Sequence, residues 1–210
     1  HTSCYIPQPH GPSVNSPPVP KGGLPDMIDW RARMSTVKDQ GECGSCYAES
    51  AVAAFEGAWS IQSGRIHNFS VQEVIDCSGK EGNEGCNGGW MHAVYEYIMD
   101  HKGILLDSTD PYTSISGDCT DSTNETIAYL TNWSFVQPTQ RAILLWLNVQ
   151  PISIAVDANE CWQNYRGGII TAMNCPSSLD PPQLDHGIII VGYNLSHTTP
   201  YFVIRNSWSS

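Results

Sequence analysis

The sequence predicts an α+β fold in which a helical first half precedes a β-rich second half. Apolar residues recur at helical spacing in several stretches between residues 46 and 147. After about residue 150, short β-branched or aromatic runs are bounded by Pro, Gly, Asn and Asp. The chain has 210 residues, 40% of them hydrophobic, which is enough for a buried core. We therefore expect two subdomains with a site in the cleft between them.

The helices follow from the apolar period. Residues 1–23 are rich in Pro, Ser and Gly, and we expect them to form an extended lead-in outside the core. The run CYAESAVAAFEGAWSI places apolar side chains on one helical stripe, with Gly44 and Ser45 at its N-terminus. In SVQEVIDC, Ser70 is expected to cap a helix together with Glu73. Further helices are predicted at WMHAVYEYIMDHKG and QPTQRAILLWL.

Four runs in the second half predict strands: PISIAVDA, GGIIT, HGIIIVGYN and PYFVIRNSW. Together with the helices, they suggest three parts of the chain. These are an N-terminal extension at 1–23, a helical subdomain at 24–132 and a β-rich subdomain at 133–210.

Charge and cysteine content exclude some classes of function. The formal charge of -11 argues against nucleic acid or an anionic membrane as a partner, and no apolar run is long enough to cross a bilayer. Eight cysteines, most of them far apart, indicate disulfides and an oxidising compartment. The absence of a signal peptide and of an initiator Met predicts a processed product. Four glycosylation sequons agree with a secretory route, at Asn68, Asn124, Asn132 and Asn194.

The stretch QGECGSCYAES carries two cysteines, Cys43 and Cys46, with three possible roles. A zinc site needs a second close pair of ligands, which the sequence lacks. A redox pair needs a surrounding βαβ unit, but the upstream segment is rich in Pro. A nucleophile needs a base, a group that orients the base and an oxyanion donor. His186 before one strand and Asn206 after another favour this third role.

The pattern CGSCY, followed far downstream by His186 and Asn206, resembles the papain-like cysteine peptidases, and the cathepsin L-like branch most of all. The resemblance extends over residues 24–208 through eight ordered motifs, among them LPDMIDWR, GCNGGWMHAVYEYI, DHGIIIVGY and IRNSW. It implies a papain-like fold, with a helical and a β-barrel-like subdomain on either side of an active-site cleft. It also implies that the C-terminal part of the barrel is missing, because the family continues beyond NSWSS.

The resemblance assigns catalytic roles. Cys46 would be the nucleophile, kept as a free thiol, and His186 its general base. Asn206 would orient the imidazole and Trp208 would shield that hydrogen bond, while Gln40 and the Cys46 N–H would bind the oxyanion. The implied reaction is hydrolysis of peptide bonds by an endopeptidase, through a thioester acyl-enzyme.

The substrate side is implied in the same way. Gly88 and Gly89 would let a peptide backbone approach closely. An apolar pocket would favour a bulky hydrophobic residue at P2, the second residue upstream of the cut. The residues expected to contact substrate are Gly88, Gly89, Trp90, Met91, Ala155, Leu184, Asp185 and Trp208.

The family pattern also implies disulfides Cys43–Cys86 and Cys77–Cys119. Cys175 would have its partner beyond the last residue of this chain. A Cys4–Cys161 bridge and an intermolecular bond through Cys4 are both open.

Glu49 departs from the family pattern, because a carboxylate stands where a buried aromatic is expected. It could accept hydrogen bonds from a polar neighbour or water, or it could shape the pocket to admit a basic residue. Such departures also leave an alternative function, that of a weakly active or inactive secreted protein of the binding or allergen type.

The expected partners are protein or peptide substrates, the chain's own propeptide and cystatin-like inhibitors. No cofactor, metal, nucleic acid or membrane is expected. We predict a monomer that is secreted or located in lysosomes or vacuoles.

Overall fold

A computed structural model of the chain describes residues 3–7, 11–120, 126–177 and 183–209. The helices are α1 Cys46–Ser63, α2 Val71–Cys77, α3 Met91–Asp100, α4 Gln140–Leu147 and α5 Glu160–Gln163. The strands are β1 Ser13–Val14, β2 Met27–Asp29, β3 Phe135–Val136, β4 Ile152–Val156, β5 His186–Asn194 and β6 Tyr201–Arg205. Short 3₁₀ turns lie at Arg31–Arg33, Ser78–Glu81 and Gly85–Asn87. The predicted division into a helical half and a β-rich half is confirmed.

Helix α1 is buried along most of its length, as its alanine-rich sequence allows. Helices α2 and α3 pack on one side of it through Val52, Val74 and Ile98 in the core of the helical half. The helix ends where Gly64 adopts a left-handed conformation with φ of 73°. Because α1 is packed into the core along most of its length, the position of its first residue, Cys46, is fixed.

The predicted cap at Ser70 is present, but only half of the expected capping box forms. The Ser70 hydroxyl accepts a hydrogen bond from the Glu73 N–H at 2.9 Å. The Glu73 carboxylate instead turns into the core, where it accepts from the Tyr97 hydroxyl at 3.0 Å and from the Leu105 N–H at 2.7 Å. Glu73 therefore links α2 to α3 and to the loop that follows α3.

Strand β5 is the centre of the main sheet. It pairs antiparallel with β4 along its first residues and with β2 along its last, while β6 pairs with it on the other edge. Gly192 is required for the β2 contact, since a Cβ there would lie 2.2 Å from the Ile28 carbonyl oxygen. The side chains of β5 are buried from its first residue, His186, to Tyr193.

Some sequence predictions for the fold were wrong. Residues 167–171 form no strand in the described structure, and the short helix α5 was not predicted. Strand β2 was also missed, although it pairs with β5. The lead-in at 1–23 is not wholly outside the core, because Cys4 and Tyr5 are buried.

The structure links Cys43 to Cys86 and Cys77 to Cys119, the pairs that the resemblance implied. It also joins Cys161 to Cys175, which corrects both the suggested Cys4–Cys161 bridge and the expectation of a distant partner for Cys175. Within the ranges given above, no helix combines the length and the apolar character that crossing a membrane requires.

We predict that Ser70→Ala lowers the free energy of unfolding by about 1–2 kcal/mol, because the first turn of α2 loses its cap. The Ser70 hydroxyl also donates to the Asp110 carbonyl at 2.8 Å, so the replacement removes that bond as well. Denaturant unfolding of the variant and the parent would measure the change. Ser63→Ala, at the exposed end of α1, should have little effect, and an equal loss in both variants would contradict the assignment.

Candidate active site

Cys46 is the first residue of α1 and is fully buried. Ser45 occupies the N-cap position but forms no capping bond with a described residue, since its hydroxyl lies 2.7 Å from that of Tyr112. The predicted position of Gly44 and Ser45 at the N-terminus of the helix is confirmed. A thiolate at residue 46 would be favoured by the positive end of the helix dipole and by the Gly187 N–H, which points at the Cys46 sulfur from 3.1 Å.

His186 and Asn206 meet at one end of the main sheet. The His186 Nε2–H donates to the Asn206 side-chain oxygen at 2.7 Å, and the Ser207 N–H donates to the same oxygen at 2.8 Å. Because these bonds place the ring proton on Nε2, Nδ1 is left to face the sulfur atoms of the site. The Trp208 ring stacks on the imidazole with centroids 4.5 Å apart.

Burial lowers the pKa of His186, while the Asn206 hydrogen bond and the charge of Asp185 act in the opposite direction. The neutral imidazole is therefore favoured in this state. A nearby thiolate would reverse the balance, because an opposite charge at close range stabilises the imidazolium.

Gln40 is buried beside this pair. Its backbone N–H donates to the Ser207 carbonyl at 2.9 Å, and its side-chain oxygen accepts from the Ser207 hydroxyl at 2.7 Å. Its side-chain N–H group donates to the Cys43 carbonyl at 3.0 Å. The amide is thus held next to the start of α1, with one of its two N–H donors engaged by the protein in this state.

The expected free thiol at Cys46 is corrected by the structure, which joins Cys46 to Cys4. The Cys4 sulfur also lies 3.4 Å from His186 Nδ1. The two sulfurs and an imidazole nitrogen are within 4.8 Å of one another, a spacing that suits a metal, but the disulfide engages both sulfurs. One signal in the sequence pointed here: a free Cys46 leaves seven cysteines, an odd number that cannot all pair within the chain.

Most of the residues predicted to contact substrate lie against the N-terminal segment, residues 3–7, whereas Trp208 stacks on His186. Tyr5 forms an isolated β-bridge with Gly89, and the Cys4 and Tyr5 N–H groups both donate to the Asp185 carbonyl. Gly88 has φ of 115°, and a Cβ there would lie 3.3 Å from the Cys4 carbonyl oxygen. The partly buried pocket residues that pack against Cys4, Tyr5 and Cys46 are Met91, Ala155 and Leu184.

The surroundings of Glu49 give no support to the hypothesis that it admits a basic substrate residue. It borders a cavity of about 10 Å³ that Lys38, Arg205 and Asn206 also line, with room for about one water molecule. Its Oε1 has no hydrogen-bond partner among the described residues. Burial raises the pKa of Glu49 to about 7, with Lys38 opposing the shift.

A second buried carboxylate, Glu56, was missed by the sequence analysis. It accepts a hydrogen bond from the Phe69 N–H at 2.9 Å and lies 3.4 Å from the Lys38 ammonium. The sequence alone did not indicate that Lys38 would lie beside Glu56 in the folded chain.

Three of the four predicted glycosylation sites lie in the described structure. Asn68 and Asn132 are exposed, whereas Asn194 is half-buried and its side-chain oxygen accepts hydrogen bonds from the Ser196 and His197 N–H groups. Asn124 lies outside the described residues.

Comparison with known proteins gives consistent matches. The family described as papain family cysteine protease matches residues 24–210. Digestive cysteine proteinase 3 of Homarus americanus is 38% identical over 193 residues, 90% of this chain and 59% of the relative. Human cathepsin L2 is 34% identical over 194 residues, 88% of this chain and 57% of the relative.

A solved structure is also similar, that of digestive procathepsin L 3 from the Tenebrio molitor larval midgut. It has a TM-score of 0.86 and 32% sequence identity, covering 99% of this chain and 66% of the other. The fold implied by the sequence motifs is thereby confirmed. The chain spans less than two thirds of the length of these relatives.

We predict that the free energy of unfolding falls as the pH rises from about 4.5 to about 7, because of Glu49. Its pKa is raised in the folded state, so the folded protein binds more protons than the unfolded chain in this range. The loss should reach at most about 3 kcal/mol, and Glu49→Gln should remove it. The variant should therefore be more stable than the parent at pH 8 and nearly equal to it at pH 4.

Denaturant unfolding between pH 4 and pH 8, without reductant, would test this prediction. Glu42→Gln is a matched control, because Glu42 is an exposed carboxylate. The prediction would be contradicted if the free energy of unfolding of Glu49→Gln fell with rising pH as steeply as that of the parent.

Proposed function

Since this chain belongs to the papain family of cysteine proteases, we propose that it is a cysteine-type endopeptidase with Cys46 as nucleophile. The observation that carries the proposal is the His186 imidazole, held by Asn206 at 2.7 Å with its other nitrogen facing the sulfurs at the start of α1. A base so oriented beside a cysteine at a helix N-terminus is what thiol catalysis needs.

In the proposed reaction, the freed Cys46 thiol passes its proton to His186 Nδ1. The thiolate attacks the peptide carbonyl, and the imidazolium then protonates the leaving amine. Water, deprotonated by the same imidazole, hydrolyses the thioester. Asn206 keeps the His186 ring in place through both steps, because the Nε2–H continues to donate to the Asn206 side-chain oxygen.

The developing oxyanion would be bound by the Cys46 N–H and by the amide of Gln40. Support for Gln40 comes from its burial and from its anchoring to Ser207, next to Asn206. The Gln40 amide nitrogen carries two hydrogens, so one can donate to the oxyanion while the other stays on the Cys43 carbonyl and the amide oxygen stays on Ser207.

The substrate preference proposed is for a bulky hydrophobic P2 residue. Met91, Ala155 and Leu184 supply an apolar surface, and the Tyr5 ring already packs there. These three side chains carry no charge that could pair with a basic residue, and an unpaired buried charge is costly.

The names of the relatives support protein substrates for this chain, since one is a digestive proteinase and another a procathepsin. We propose further that this chain is made with a propeptide, binds cystatin-like inhibitors and is monomeric. Its proposed location is secreted, lysosomal or vacuolar. The four predicted sequons and four disulfides favour a secretory route.

The alternative, a non-catalytic binding or allergen-type protein, is favoured by one observation: Cys46 is covalently blocked. A thiol-reactive epoxide inhibitor separates the two functions. After reduction, an active peptidase should incorporate one inhibitor molecule at Cys46, and Cys46→Ser should incorporate none.

We predict that the reduced protein hydrolyses fluorogenic peptides and that Cys46→Ser abolishes this activity. His186→Ala should lower kcat/KM by at least about a thousandfold, because the thiol loses its base. Ser63→Ala serves as a control on the same helix. Hydrolysis that survives in Cys46→Ser would contradict the mechanism.

We predict that a peptide library varied at P2 shows a preference of at least about tenfold for Leu or Phe over Arg, given the free energy of burying an apolar side chain. Ala155→Asp should raise the relative rate with Arg by placing a carboxylate in the pocket. The exposed residue Met173, replaced by Asp, is the matched control. Equal rates with Leu and Arg in the parent protein would rule out the apolar pocket.

A further inference from the structure

The N-terminal segment is held by the backbone of Gly89 on one side. The Gly89 N–H donates to the Cys4 carbonyl at 3.2 Å, and the Ile6 N–H donates to the Gly89 carbonyl at 3.3 Å. The Trp90 indole N–H adds a bond to the Ile6 carbonyl at 2.9 Å. These are main-chain contacts of the kind by which a groove binds an extended peptide of varied sequence.

The other side of the segment is held by the residue before the catalytic histidine. The Cys4 and Tyr5 N–H groups both donate to the Asp185 carbonyl at 3.2 Å. Asp185 is itself fixed, because its carboxylate accepts from the Ala158 N–H at 2.9 Å. The segment is thus clamped between the helical half and the β-rich half, across the cleft.

The Tyr5 side chain is 9% exposed and belongs to the cluster packed against the residues expected to line the apolar pocket. It lies in one cluster with Cys4 and Cys46, against Met91 and Leu184. Three independent features therefore coincide in residues 4–6: backbone pairing with the groove, a ring in its pocket and a covalent bond to the nucleophile.

We propose that residues 3–7 are a built-in inhibitor, fixed in the substrate groove by the Cys4–Cys46 disulfide and released when a thiol reductant breaks that bond. This rests on the proposed function, in which Cys46 is the nucleophile. It adds that the chain is latent as it stands, and that its activator is a small thiol or a protein dithiol.

The activating reaction is thiol–disulfide exchange. A reductant thiolate attacks the Cys4 sulfur, the Cys4–Cys46 bond breaks, and Cys46 departs as a thiolate. A second thiol then attacks the mixed disulfide on Cys4, which leaves Cys4 reduced and the reductant oxidised to its own disulfide. Two thiols are oxidised and two protein cysteines are reduced.

The surroundings favour Cys46 as the leaving group. A leaving thiol of low pKa departs faster, and Cys46 lies at a helix N-terminus beside His186. Both sulfurs are buried, however, with Cys4 2% exposed and Cys46 fully covered. The segment must lift before a reductant can reach the bond, so the packing of Tyr5 controls the rate of activation.

The test measures the Cys46 thiol and peptide hydrolysis separately. The purified chain is titrated with dithiothreitol, free thiols are alkylated, and Cys46 labelling is quantified by mass spectrometry. We expect no label on Cys46 without reductant, and a rise in labelling and hydrolysis together as the Cys4–Cys46 peptide pair disappears. Cys4→Ser, prepared under argon, should be labelled and active without reductant.

A double variant, Cys161→Ser with Cys175→Ser, is the matched control, because it removes a different disulfide. It should keep the requirement for reductant. Labelling of Cys46 in the untreated parent would overturn the proposal. So would a parent that stays blocked after reduction and opens only with a chelator, since a metal would then hold the segment.

Failure of the proposed function gives a different pattern, in which reduction exposes Cys46 but no peptide is hydrolysed.

Tyr5→Ala should speed reductive activation by about tenfold or more, because the segment loses a buried aromatic ring. Tyr5→Phe should remain close to the parent. Equal activation rates in Tyr5→Ala and the parent would exclude the lifting step.

Discussion

The close packing of α1 against β5 is the constraint on which the site depends. Gly187 permits it, since a Cβ there would lie 2.9 Å from the Cys46 carbonyl oxygen. The Ser50 hydroxyl donates to the Ile188 carbonyl at 2.6 Å and ties the two elements together further along. Cys46 and His186 are therefore carried by rigid, buried elements, as a site that needs fixed geometry requires.

Buried charged side chains near α1 and β6 connect the site to residues 35–38, which precede Gln40 in the chain. The Lys38 ammonium donates to the Phe69 carbonyl and faces Glu56, while the Arg205 guanidinium donates to the Ser35 and Thr36 carbonyls. Arg205 directly precedes Asn206 in the chain. The segment that carries Gln40 and strand β6, which ends just before Asn206, are thus held by one cluster of buried charges. Glu49 is the carboxylate in this cluster whose pKa is strongly raised.

Local sequence signals predicted the elements that carry the site, and non-local pairing accounts for most of the errors. Helix α1 and strand β5 have long, consistent apolar patterns, so their type and approximate bounds were predictable. Strand β2 has three residues, and its identity depends on pairing with Tyr193 and its neighbours far along the chain. The Cys4–Cys46 bond likewise joins residues far apart in sequence, and cysteine spacing alone does not determine which cysteines pair.

The disulfide at Cys46 is compatible with a preformed His186–Asn206 pair. His186 and Asn206 are already hydrogen-bonded while the sulfur is blocked, so reduction need not rearrange the rigid elements. What changes is charge: with no thiolate present, burial holds the pKa of His186 below its ordinary value. Once the Cys46 thiolate is released, its negative charge favours the imidazolium. Breaking the Cys4–Cys46 bond would therefore free the Cys46 thiolate and favour the uptake of a solvent proton by His186, while α1 and β5 keep their packing.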